Sequence, residues 1–245
     1  MPTARIKIDG DVVTGEYEDG RVAVDGTTYT AGVDGPLCPP CEPSTVYCFG
    51  RNYPSYLEQN EELLEDLHGA DPPEELHFFL KGATSVIPHE APIPYPSFTD
   101  SLGYAGELAA VIDRRCKHVS PEDVPDVVRG YTILNDVDAK DQNELTEMKV
   151  FDGSAPIGPA IADVDPTSLQ MRTTIDGEIR QEETTDRMYR PPSEAISALS
   201  ERVTLRPDDV IAMGSPANPG TVDPGETIEI YYEGIGTLRN TVERA

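Results

Sequence analysis

The chain has 245 residues and a formal net charge of −26, from 45 acidic and 19 basic side chains. That length suits one large domain, or one domain with a small appendage, and buries roughly 70–75% of the surface exposed by the unfolded chain. Lysine stands only at positions 7, 81, 117, 140 and 149. With no basic patch to neutralise phosphates, a nucleic-acid partner is not expected. Acid dispersed along the whole chain predicts a surface adapted to molar salt, where screening relieves self-repulsion. No apolar run reaches membrane-spanning length and the N-terminus lacks a signal-peptide core, so a cytoplasmic protein without membrane contact is expected.

Residues 1 to about 35 alternate short apolar segments with Asp-Gly pairs at 9–10, 19–20, 25–26 and 34–35. Asp-Gly supplies the positive φ angles of tight hairpins, so a small β meander is predicted. The proline-rich GPLCPPCEP (35–43) marks the best internal boundary, giving a small N-terminal β unit over 1–40 and a main domain over 41–245. Cys38 and Cys41 have redox or zinc spacing. Without a second such pair or paired histidines they read as small apolar fillers in a reduced compartment.

Val46 to Gly50 reads as a buried strand, and leucines at 57, 63, 64 and 67 give an acidic helix that Asp71-Pro-Pro ends. Phe78 to Lys81 reads as another strand, followed by a proline-rich loop through Pro96, of a length often found in lids. The apolar run Leu108 to Ile112 reads as a buried strand. Ser120-Pro121 with Asp123 forms a helix-start signature, so a helix is predicted to run to about Gly130. A strand over Tyr131–Leu134 then delivers Asn135-Asp136. Beyond Lys149 to Asp152 a loop is predicted over 153–159. A strand over 169–175, a turn at 176–177, a helix from Pro192 and a final hairpin over 227–242 complete the reading. Two strands bearing Glu107 and Asp136 place two carboxylates together, an arrangement suited to a hard divalent cation such as magnesium.

The motifs YCFGRNY (47–53), FFLKGATSVI (78–87), GELAAVI (106–112), GYTILNDVDAKD (130–141), KVFDGSAPIGP (149–159), DGEIRQEETTDRMY (176–189), MGSPANPG (213–220) and EGIGTLRN (233–240) follow in this order. From about Leu37 onward the chain therefore resembles the fumarylacetoacetate hydrolase family. The resemblance implies an α+β fold of the β-rich type belonging to that family, a homodimer, and a Mg2+ or Mn2+ ion in the site. It also implies action on a small 2-oxo or diketo acid through a metal-stabilised enolate, by hydrolysis, decarboxylation or isomerisation.

Carried over by position, the resemblance makes Glu107 and Asp136 metal ligands and Lys149 the catalytic lysine beside the keto acid. It assigns Arg51, Tyr53, Lys140 and Ser215 to substrate binding. Three positions depart from the pattern. Ala105 replaces the first glutamate of the Glu-x-Glu ligand pair. Tyr56 and Gln59 replace a histidine–glutamate dyad that activates water, and neither is an efficient base near neutrality. Asp138 stands where serine or threonine is usual, on the face of Asp136, and is a weaker third metal-ligand candidate. Lys140 replaces an arginine and so lacks the bidentate fork. Gln181 and Thr185 are expected to hold their hairpin together. Two readings follow: an enzyme with an altered site, or a catalytically impaired homologue that binds a small acid or a partner protein.

Overall fold

The computed structural model describes residues 1–61 and 76–244. The leucines at 63, 64 and 67 and the Asp71-Pro-Pro stop lie outside the described residues. Among those described, strands dominate. They form a twelve-stranded sheet, a five-stranded sheet and a three-stranded sheet, with only short helices between them.

The strand Gly106–Ile112 lies in the middle of the large sheet and is buried along its whole length. Successive side chains of a strand face opposite ways. Leu108, Ala110 and Ile112 accordingly enter the main core, with Tyr104, Ile133, Ile211 and Ile230. Ala109 and Val111 enter a second cluster on the other face, with Val46, Cys48, Leu134, Ile157 and Val210. Small alanines and β-branched residues suit a strand covered on both faces, because bulk on either side would force the layers apart.

Its antiparallel neighbour is Val128–Asn135, paired from Gly106↔Asn135 to Ile112↔Val128 with a bulge near Val111. This strand starts earlier than the sequence suggests, and the helix before it is replaced by 3-10 turns over Pro121–Asp126. Pro125 explains the difference, since it has no N–H for a continuing helix and its ring clashes with the preceding turn. The Ser120 hydroxyl hydrogen-bonds the Asp123 carboxylate at 2.9 Å rather than capping a backbone amide.

The N-terminal meander forms as the Asp-Gly pairs predict. Strands Thr3–Ile8, Asp11–Glu18, Arg21–Val24 and Thr27–Thr30 are joined by turns with positive φ at Asp9-Gly10, Asp19-Gly20 and Asp25-Gly26. The next turn has its left-handed residue at Gly32, and Asp34 accepts the Thr30 amide at 2.6 Å instead. The meander extends the large sheet through the pair Thr3↔Ile161 and keeps a small cluster of its own around Ile6, Val22 and Leu37.

Two segments that read as loops are strands. Residues 86–96 contain Val86–Pro88, parallel to Ala155–Ala162, and Ile93–Tyr95, parallel to the C-terminal strand Gly236–Arg244. Residues 155–159 belong to the strand Ala155–Ala162, which is buried throughout. Proline hides such strands from sequence patterns, because it is tolerated where the missing N–H is not needed by the ladder. Cys38 and Cys41 are free thiols, and burial pushes the Cys41 thiol up to about 12. A thiol so seldom ionised is a weak nucleophile and a weak metal ligand, consistent with a filler role.

Candidate active site

Glu107 faces the second core cluster, together with Leu134 directly across the ladder. Asp136 lies two residues beyond Leu134, and its amide continues the ladder by donating to the Ala105 carbonyl at 2.9 Å. The two carboxylates therefore emerge side by side, and both are buried, with relative exposures of 2% and 4%. Asn135 accepts the Ala105 amide at 3.1 Å, fixing the strand end from which they project.

Two lysines meet them there. The Lys81 ammonium is wholly buried at the end of the strand Phe78–Lys81, 2.9 Å from Asp136 Oδ1. It also donates to the Val137 carbonyl at 2.7 Å and the Lys149 carbonyl at 3.0 Å. Two hydrogen bonds and an ion pair thus hold it in place. Lys149 ends a short helix, Leu145–Lys149, that the sequence pattern does not announce. Its ammonium lies 2.6 Å from Asp136 Oδ2 and 3.0 Å from Asp138 Oδ2, over the Phe79 ring at 5.1 Å from its centroid. Its pKa is raised by Asp136 and Asp138, which outweigh the opposing effect of burial.

The carboxylates are set apart by these contacts. Burial, then the charge of Asp136, pushes the Glu107 carboxyl well above its ordinary range, against the Gly214 amide that donates to it at 2.9 Å. For Asp136 burial acts upward as well, but Lys149 and Lys81 outweigh it and hold the group below its ordinary value. One buried acid is thus kept ionised while its neighbour favours the proton.

The loop 213–220 closes one side. Gly214 has a φ of +88°, and a Cβ there would lie 3.1 Å from that of Asn52, so glycine lets the amide reach Glu107. Ser215 is half-buried and its hydroxyl accepts from Gln181 Nε2 at 2.9 Å. Gln181 also accepts the Gly106 amide at 3.1 Å and donates to the Ala217 carbonyl at 3.1 Å. It ties the Glu107 strand to this loop, a wider role than holding its own hairpin. Thr185 is structural, receiving the Leu169 amide and donating to the Pro166 carbonyl.

The helix Pro54–Gln59 packs against this loop, where the Ser55 hydroxyl accepts the Ala217 amide at 3.3 Å. Gln59 forms two hydrogen bonds with Asn218, at 2.8 and 2.6 Å. Tyr56 is half-buried and feels the charges of Lys149, Asp138 and Asp136, although burial is the main reason its pKa is raised. Tyr53, expected to bind substrate, is instead fully buried in the main core, where burial drives its pKa upward. Arg51, at a φ of +63°, lines a shallow cleft with Asn52, His77 and Tyr189, apart from the carboxylates. Lys140 and Asp138 lie together over Gly103, where a Cβ would collide with both side chains. A crevice of about 500 Å³ lies between Val124, Tyr131, Val164 and Pro192, and is lined by none of the cluster's residues.

Sequence reading brings Glu107, Asp136, Asp138 and Lys149 together correctly in space but misses Lys81. The signal was available, since a lysine ends an apolar strand in a chain with only five lysines. Such a residue needs a buried partner.

A β-rich fold with acidic residues at the ends of adjacent central strands, and this order of motifs, defines the class. The chain belongs to the fumarylacetoacetate hydrolase family: residues 45–243 match the family's fumarylacetoacetate (FAA) hydrolase C-terminal domain. It is 35% identical over 241 residues to an uncharacterized protein of Archaeoglobus fulgidus, covering 94% of this chain and 93% of that one. It superposes with a TM-score of 0.88 on a 5-carboxymethyl-2-hydroxymuconate delta-isomerase from Mycobacterium smegmatis, at 32% identity over 100% of this chain and 99% of that one. A fumarylpyruvate hydrolase from Pseudomonas aeruginosa, in complex with Mn2+ and pyruvate, superposes with a TM-score of 0.75 at 28% identity, over 94% and 99% of the two chains. Both hydrolases and isomerases are therefore among its relatives.

The donor set of this chain does not fit a divalent cation held by three carboxylates. Position 105 is alanine, both Asp136 oxygens are engaged by ammonium groups, and Asp138 faces Lys149. Among the described residues no group of three or more His, Cys, Asp or Glu side chains is placed to hold a metal.

Proposed function

We propose that the protein is an enzyme of the fumarylacetoacetate hydrolase family with an altered active site, acting on a small 2-oxo or diketo acid by way of an enolate. The observation that carries this reading is the buried cluster Glu107, Asp136, Asp138, Lys149 and Lys81. It joins an ionised carboxylate, a proton-favouring carboxyl and a held ammonium at one strand end. An ammonium fixed in a water-poor site stabilises negative charge developing on a substrate oxygen. Glu107 is the group beside it suited to carry a proton. Ser215 and Lys140, flanking the cluster, complete the binding of the acid.

Tyr56 and Gln59 favour isomerisation or decarboxylation over hydrolysis. Gln59 commits its amide to Asn218, and Tyr56 is held further from ionisation than a free phenol, so neither activates water near neutrality. The same commitment of Gln59 favours, as the second reading, a homologue that binds a small acid without turning it over.

Proton NMR in deuterium oxide tests both. Pyruvate, oxaloacetate and acylpyruvates should exchange their C3 protons faster than in buffer, and Lys149→Met should abolish the gain. Binding of an acid without such exchange would favour the non-catalytic reading. Exchange at the buffer rate for every 2-oxo acid tried would end the enzymatic one. The homodimer belongs to the same proposal, and light scattering coupled to size exclusion measures it.

A further inference from the structure

We propose that the Lys149 ammonium, clasped between Asp136 and Asp138, is the resident cation of this site, so that the protein binds its acidic substrate without a divalent metal. The inference rests on the 2-oxo acid reading given above and goes beyond it by assigning the charge.

Asp136 Oδ2 lies 2.6 Å from Lys149 Nζ, and Asp136 Oδ1 lies 2.9 Å from Lys81 Nζ. A metal bound to either oxygen would have to share it with an ammonium, and that like charge at short range opposes it. Lys81 cannot retreat easily, because its side chain is 0% exposed and its remaining protons go to the carbonyls of Val137 and Lys149. Asp138 gives Lys149 a second anchor at 3.0 Å, and its other oxygen is packed over Gly103. A third carboxylate therefore exists near Asp136, but it faces the lysine. Position 105, the neighbouring strand-end site, carries only a methyl group.

The charges agree. Two ammoniums already stand against the two aspartates, so their charge is matched without an added ion. Lys149 has three protons and gives two of them to Asp136 and Asp138. The third is available to an incoming carboxylate or enolate oxygen, and the two aspartates fix its direction. Lys81, with its side chain 0% exposed, is out of reach of an incoming acid. Asp138 is thus a positioning residue and Lys149 the group that touches substrate.

The test separates metal from lysine by binding. Oxalate is titrated calorimetrically into the protein in EDTA, and Mn2+ is followed separately by the loss of its aqueous electron-paramagnetic-resonance signal. Oxalate should bind in EDTA. Lys149→Met should abolish that binding, and Asp138→Asn, a milder change at a half-buried position, should weaken it about tenfold. Mn2+ held by scattered surface acids should be the same in wild type and in Glu107→Gln. Ala105→Glu combined with Asp138→Ser, which moves a carboxylate from the lysine side to the strand-end side, should create a Mn2+ site that Glu107→Gln removes. Oxalate binding only when Mn2+ is present would overturn the proposal. So would a wild-type Mn2+ site that disappears in Glu107→Gln. Oxalate binding in EDTA without any C3 exchange would leave this assignment standing while refuting the enzymatic reading.

Discussion

Replacing Lys81 by methionine keeps most of the side chain's volume and removes one buried charge. The Val137 and Lys149 carbonyls then lose their donor, and Asp136 Oδ1 loses its ion-pair partner. Deleting one partner of a buried ion pair costs about 3–5 kcal/mol, because the other charge is left uncompensated. Lys149 still holds Asp136 Oδ2, which moderates the loss, whereas the two orphaned carbonyls add to it. We therefore expect a total of about 3–5 kcal/mol, which for a chain of this size lowers the melting temperature by about 6–20 °C. The assay is thermal and urea unfolding of wild type, Lys81→Met, Asp136→Asn and the double variant. In the Asp136→Asn background no buried charge is stranded, so Lys81→Met should there cost less by at least about 1 kcal/mol. Equal costs in the two backgrounds would refute the idea that Lys81 serves mainly to neutralise Asp136.

Glu107→Gln should stabilise the protein while abolishing C3 exchange, since glutamine still accepts the Gly214 amide but has no charge to bury. The folded-state pKa of Glu107 is raised, so its contribution to stability is full below about pH 4.3 and is lost as pH climbs towards the folded value. The melting-temperature gain of the variant should therefore be absent near pH 4 and grow above it, and a pH-independent gain would contradict the assignment. Asp141 behaves oppositely. The Asp100 amide, the Thr99 hydroxyl and Gln142 lower its pKa to about 2, so it contributes above about pH 3.9 and ceases to as pH falls towards 2. Asp141→Asn should remove that part of the acid limb. Raising KCl from about 0.1 to 1 M shortens the screening length from about 10 to about 3 Å. With a net charge of −26 the melting temperature should rise with it, and a salt-independent value would dismiss the reading of a salt-adapted surface.

What the sequence made legible follows from which physical rules are local. The Asp-Gly turns and the run Leu108–Ile112 announce themselves because positive φ and double-sided burial each demand particular residues within a few positions. The strands Val86–Pro88, Ile93–Tyr95 and Ala155–Ala162 do not, because partners distant in the chain decide their pairing and proline masks their pattern. The site divides in the same way. Glu107 and Asp136 could be placed together from two strands and a motif order. Strand periodicity put Asp138 on the face of Asp136, but the strand ends at Asn135 and Asp138 belongs to the short strand Asp138–Ala139 of another sheet, so the two meet through Lys149. What Asp138 faces could not be read, because that depends on Lys149 arriving from a helix of five residues with no sequence signal. The sequence flags Lys81 as unusual but not what it meets, since its partners at 136, 137 and 149 are far away in sequence. An excess of acid in the composition hid the decisive point, which is the direction of one carboxylate. Asp138 turned towards Glu107 would complete a metal site; turned towards Lys149, as it is, it fixes an ammonium where the substrate's charge develops.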